Sequence, residues 1–155
     1  MEWFNSSIAP LKDLLAFLYK KSKTNDVYKK QVIIELRDNL NVFKNGFINQ
    51  APYDQMIDLL QHEAVQSAIR ENFSFKKLRH GTLSPAIIKE ERNKKYAGWT
   101  AEKLVDKIDE KIVELKNIKK MNRDTVQEVK NNIPLMMSNL YFRMKLLADF
   151  IQSEG

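Results

Sequence analysis

Two long apolar-striped segments fill the last third of the chain, Thr100 to Met121 and Asp124 to Gln152, with only Asn122-Arg123 between them. A two-residue connector leaves the second helix nowhere to lie except back along the first, so the pair predicts an antiparallel helical hairpin. In the first segment Ala101, Leu104, Ile108, Ile112, Leu115 and Ile118 recur three or four apart behind a capping Thr100. The second opens with Asp124 and Gln127 at capping-box spacing and carries Val126, Val129, Ile133, Met137, Leu140, Met144, Leu147 and Ile151 on one stripe. Pro134 falls well inside it, where a missing donor and a ring clash predict a kink or a break near Lys130 to Ile133.

Beyond Pro134 the stretch Leu135 to Ile151 is apolar almost all round, its only charges being Arg143, Lys145 and Asp149. A helix of that kind must be covered on more than one side. Either the chain's own N-terminal helix and middle segment cover it, or Met136, Tyr141 and Phe142 meet a partner or a second copy.

A chain of 155 residues buries about two thirds of the surface its unfolded form exposes, which predicts a single domain over 1–155. With 43% hydrophobic and 30% charged residues, and only four Gly and four Pro, the composition fits neither a disordered chain nor a many-stranded β fold, and the expectation is all-α. The absence of Cys removes disulfides and thiolate chemistry together and suits a reducing, cytoplasmic setting.

Residues 1–23 form an amphipathic segment in which Leu11, Leu14, Leu15 and Leu18 make a helical stripe widened by Phe17 and Tyr19. Lys12 and Asp13 interrupt it and Lys20-Lys21-Ser22-Lys23 follows it, unlike a signal peptide, and about a dozen residues are too few to span a bilayer. The plain expectation is a short helix lidding the bundle, with Leu14 and Phe17 as candidate contacts to a partner. The sharper one is an anchor on an anionic membrane surface, with aromatics in the interface and the lysines against lipid headgroups.

Thr24-Asn25-Asp26 offers caps for a long helix striped by Val32, Leu36, Leu40, Phe43 and Phe47, with Gly46 as a stop or a weak interior point and Ala51-Pro52 as its limit. A further helix with Tyr53, Ile57, Leu60, Ala64 and Ala68 inward runs to about Glu71-Asn72. Residues 73–99 are irregular, and Ser84-Pro85 predicts a short connector helix from about Pro85 to Tyr96. The resulting expectation is an antiparallel helical bundle of four principal helices plus a short N-terminal helix and a short connector helix.

Catalytic patterns are absent. His62-Glu63 begins like a zinc-protease helix, but Gln66 stands where the second ligand belongs, and two histidines cannot build a multi-histidine centre. Asp54, Asp58 and His62 align at four-residue intervals, a polar stripe with weak cation-binding character. No nucleophile elbow, Walker loop or dinucleotide-binding glycine cluster occurs, so neither an enzyme nor a bound cofactor or metal is expected.

Charge is unevenly placed: residues 76–95 hold seven basic side chains against Glu90 and Glu91, in a chain whose net charge is +6. Phe73, Phe75, Tyr96 and Trp99 flank this connector, and basic groups beside stacking aromatics are what single-stranded nucleic acid requires. Lys76, Lys77, Arg79, Arg92, Lys94 and Lys95 are the candidate contacts, set against a solvated connector whose aromatics belong to the core. The leading expectation is a non-enzymatic protein-interaction or accessory module using Leu14, Phe17, Met136, Tyr141 and Phe142. Nucleic-acid binding through the connector is the second, and peripheral membrane association the third.

Overall fold

A computed structural model describes residues 3–4 and 8–153; the ends of the 1–155 domain and part of the 1–23 segment lie outside them. Among the described residues there are six α-helices: α1 (Ile8–Lys21), α2 (Val27–Ile48), α3 (Tyr53–Leu59), α4 (Glu63–Arg70), α5 (Ala101–Met121) and α6 (Ile133–Gln152). The protein is all-α, and its buried apolar residues form one cluster from Phe4 to Ile151. The starts of α2 and α5 follow the capping residues. Asp26 accepts from the Lys29 amide at 3.1 Å and Thr100 from the Lys103 amide at 3.3 Å, each satisfying a donor the helix leaves free.

The C-terminal pair differs from the two-residue hairpin. An irregular connection of residues 122–132 separates α5 from α6, and Pro134 occupies the first turn of α6 rather than its interior. Proline is tolerated there because no intrahelical bond needs its missing donor. Asn132 caps the helix by accepting from the Leu135 amide at 3.1 Å. Asp124 cannot open a helix in this setting: it takes φ +63°, with Arg123 and Glu128 also in the left-handed region. The Asp54 carboxylate holds the connection by accepting from Thr125 Oγ1 and the Val126 amide, each at 2.6 Å. Val126 still reaches the core and Val129 packs against it, which is why their spacing imitates a helix.

The expected helix from Tyr53 to Glu71 is likewise divided, at Leu60 to His62, by two buried polar residues of α2. Asn39 Nδ2 donates to the Gln61 carbonyl and Asn39 Oδ1 accepts from the Gln61 amide, both at 2.8 Å. Glu35 accepts from the Ala64 amide at 2.7 Å and the Val65 amide at 3.1 Å, capping α4 from a neighbouring helix. Gly46 proves to be an interior residue of α2 and not its stop. It lies buried inside α2, where an added Cβ would stand 2.7 Å from Met56 Sδ of α3.

The connector helix expected over Pro85 to Tyr96 is replaced by two 3₁₀ turns, Pro85–Ile87 and Glu91–Tyr96, after an earlier one at Phe75–Lys77. An isolated antiparallel bridge between Thr82 and Thr100 closes this excursion. Leu83 donates to the Trp99 carbonyl and Gly98 to the Leu83 carbonyl, both at 2.8 Å.

The chain's own N-terminus covers α6. Helix α1 packs against α2 and α6 with Leu11, Leu14 and Leu18 buried, and Trp3 and Phe4 wedge against Tyr141 at ring separations of 5.6 and 4.8 Å. Phe43 of α2 closes the hub at 5.4 Å from Tyr141. Leu14 and Tyr141 are therefore core residues, a correction to their expected role at an interface. Phe17, Met136 and Phe142 are half-buried against the same core. Burial of the α1 stripe also takes away the surface that insertion into a membrane would need, and no helix among the described residues is long and apolar enough to cross one.

Candidate nucleic-acid interface

The six basic residues singled out in the connector do not form one surface. Arg79 Nε donates to the Phe150 carbonyl at 3.0 Å and its guanidinium stacks 4.8 Å from the Phe150 ring, tying the connector's start to the end of α6. Arg92 donates to Ser138 Oγ at 2.8 Å, Asn139 Oδ1 at 3.0 Å and Glu90 at 2.9 Å, and lies over the Phe142 ring. These two arginines are staples, anchored at Ser138 and Phe150, about 18 Å apart along α6. Lys94 faces Glu91 at 3.7 Å and Lys95 lies over Tyr96, both at the Arg92 end. The expected stacking platform is also absent there, because Phe75 and Tyr96 are buried and Phe73 and Trp99 pack against the core.

Lys76 and Lys77 instead join a basic cluster from another part of the sequence. Lys77 Nζ stands 3.2 Å from Asp26 Oδ2, and the Tyr28 and Phe73 rings meet at 6.4 Å, so the 3₁₀ turn after α4 lies against the turn between α1 and α2. Helix α4 runs back along α2, its first turn held by Glu35 and its far end near Tyr28, which delivers Arg70 to the same end. Residues 20–30 and 70–79 together supply nine basic side chains against Asp26 and Glu71, a surplus of seven where the whole chain has +6. The Lys29 amide and then the Lys77 ammonium hold the Asp26 carboxyl below its ordinary range, so it stays charged and paired.

Tyr19 projects from this end with 53% of its surface exposed. Lys23 Nζ lies 4.5 Å and Arg37 Cζ 5.6 Å from its ring centroid, placing an aromatic face among cations. Lys20, Lys23, Lys30, Arg70 and Tyr19 were not legible as parts of one site. Lys20 to Lys23 stand out in the sequence only as a possible lipid-facing run, and their union with Lys76 and Lys77 depends on the contact between Asp26 and Lys77.

The break after α3 takes His62 out of the stripe and leaves Asp54 and Asp58 one turn apart on α3. Asp54 binds the 122–132 connection, Asp58 faces Lys119 at 3.0 Å, and His62 Nδ1 stands 3.9 Å from Asp109 Oδ1. Burial raises the Asp109 carboxyl, as it does Glu35 nearby, yet Glu35 is committed to two amides of α4. That arrangement holds a helix junction together. Among the described residues no group of three or more His, Asp or Glu side chains is placed to hold a metal ion. The chain matches no family model, and no curated protein or solved structure is similar to it.

Proposed function

We propose that the protein is a non-catalytic accessory module that binds single-stranded nucleic acid at the end formed by the α1–α2 turn and the Phe75–Lys77 turn. One observation carries this reading: the Asp26–Lys77 contact fuses two basic stretches beside the exposed ring of Tyr19. Lysines that track a phosphate backbone and a ring on which a base can stack are the two components of sequence-tolerant single-strand binding. A cysteine-free chain suits the reducing cytoplasm, where such a polyanion is available.

Fluorescence anisotropy with a labelled homopolymeric single strand tests the reading. Binding should weaken steeply as salt rises, because each contacted phosphate releases a counterion. Charge reversal at Lys20, Lys23 and Lys76 should remove it, whereas reversal at Lys94 and Lys95 should leave most of it. Tyr19→Ala should weaken it by up to ~1–3 kcal/mol, the range for one lost base stack. Equal loss from the two sets of lysines, or binding only to anionic vesicles, would overturn the assignment.

Protein association is the second reading. Of its expected apolar contacts Leu14 and Tyr141 are buried in the core, while Phe17, Met136 and Phe142 are half-buried against it.

A further inference from the structure

Two grooves lead away from the basic end, one on either side of α2. The groove toward α4 is lined by Ile34, Glu35, Gln61, Glu63 and Ser67, with Arg70 as its only cation. Glu63 is exposed there, and its own amide and that of His62 hold its carboxyl below the ordinary range, so this groove keeps a negative charge. The seam toward α1 has the opposite character. Lys30, Arg37 and Lys44 stand seven residues apart, close to two full turns each, and share one edge of α2 over about 21 Å. Lys12 and Tyr19, also seven apart, share one edge of α1, and Lys23 just beyond its end reaches back to 4.5 Å from the Tyr19 ring centroid. The two edges face each other, because α1 packs on α2 and the Arg37 guanidinium carbon lies 5.6 Å from the same ring. Arg37 also touches Asp38 at 3.4 Å, whereas among the described residues Lys12, Lys23, Lys30 and Lys44 have no carboxylate partner.

We propose that single-stranded nucleic acid bound at the basic end continues along the α1–α2 seam, over Tyr19 and Arg37 toward Lys12 and Lys44. The route rests on the basic-end reading and adds to it a direction and a length. Electrostatics chooses between the two grooves, since a polyanion is drawn along a line of unpaired cations and turned away from the Glu63 carboxylate. Tyr19 lies part of the way along, with Lys23 and Arg37 beside it, so a base stacked on the ring has cations within reach of the phosphates that flank it. The length follows from the helix. A track of about 21 Å takes about six nucleotides at the ~3.4 Å spacing of a helical strand, and fewer of an extended one.

Fluorescence anisotropy with labelled homopolymeric single strands, from about 4 to about 16 nucleotides long, tests the route separately from the end itself. Affinity should climb as the strand lengthens toward the capacity of the track. For the longer strands Lys12→Gln and Lys44→Gln should each reduce the slope of log affinity against log salt by about 0.7, and for the shortest they should change little. Both lysines lie at the surface, so the variants should keep the melting temperature of the wild type. Gln61→Glu, which adds a carboxylate to the other groove, should leave the affinity for long strands in place. Loss of long-strand affinity in Gln61→Glu but not in the lysine variants puts the strand in the α2–α4 groove and overturns the route. So does an affinity that ignores strand length, or one that Lys12→Gln and Lys44→Gln lower equally at every length. The basic-end reading survives all three results, since it requires only salt-sensitive binding that is lost on charge reversal at Lys20, Lys23 and Lys76; no salt-sensitive binding at any length ends both.

Discussion

Asn39 and Gln61, 22 residues apart, exchange two hydrogen bonds of 2.8 Å, the side-chain amide of one reading the donor and acceptor of the other's backbone. The pair sits where α3 gives way to α4, and it satisfies backbone groups that no helix continues to serve. A buried amide does here what a turn residue does at the surface.

Replacing Asn39 with Leu keeps the volume and strips both bonds. The Gln61 amide and carbonyl then lose their partners, at ~1–3 kcal/mol for each polar group left unsatisfied. Urea denaturation should show the midpoint falling with little change in slope, since the surface exposed on unfolding is nearly the same.

Glu35 gives a pH signature of the opposite sign to an ordinary surface carboxylate. Burial raises its carboxyl above the usual value near 4.5, so the native state takes up a proton at a pH where the unfolded chain has not yet done so. Its contribution to stability therefore grows as pH falls from neutral through the raised native value, and levels off below about 4.5. Glu35→Gln removes this term. The stability difference between wild type and variant should shift toward the wild type on acidification, measured by denaturant titration from pH 7 downward; a difference independent of pH would contradict the burial.

Arg92 and Lys76 lie in the same basic connector but should separate cleanly. Arg92→Ala breaks bonds to Ser138, Asn139 and Glu90, so it should lower thermal stability while hardly changing nucleic-acid affinity. Lys76→Ala should leave the melting temperature in place and reduce the slope of log affinity against log salt by about 0.7, the single-strand value for one phosphate.

Asn132→Ala removes the acceptor for the Leu135 amide, and about 1 kcal/mol of stability should go with it. Pro134→Ala should change stability by less, because a first-turn proline neither blocks a needed bond nor strains the helix. If Pro134→Ala proved the larger effect, the start of α6 would have to be reassigned.

The sequence discloses the helices whose apolar spacing is backed by a cap. The ranges of α2 and α5 follow from Asp26 and Thr100, and the all-round apolar character of α6 correctly demands several neighbours. Its failures share a cause. Val126, Val129, Leu60 and Ala64 keep helical spacing while lying in or across irregular chain, because burial imposes a period that backbone geometry need not share. What shapes the chain at Val126 and Gln61 comes from far away, from Asp54 and Asn39, and the one local signal is Pro134, whose expected break near Lys130 to Ile133 falls where α6 begins. The candidate interface was half legible for the same reason. Its lysines are plain in the sequence, but their assembly rests on a contact between Asp26 and Lys77, 51 residues apart.

The bridge between Thr82 and Thr100 brings the ends of an irregular segment together while Leu83, Ile88 and Tyr96 within it remain in the common core. Residues 83–99 are thus a detour on the route from α4 to α5, and the order and direction of the helices do not depend on its length. Such a detour can lengthen, shorten or acquire new side chains at its exposed positions without rerouting anything else, provided that Leu83, Ile88, Arg92, Asn93 and Tyr96, or substitutes for them, still pack against the core and α6. Variation among descendants of this fold should collect there first.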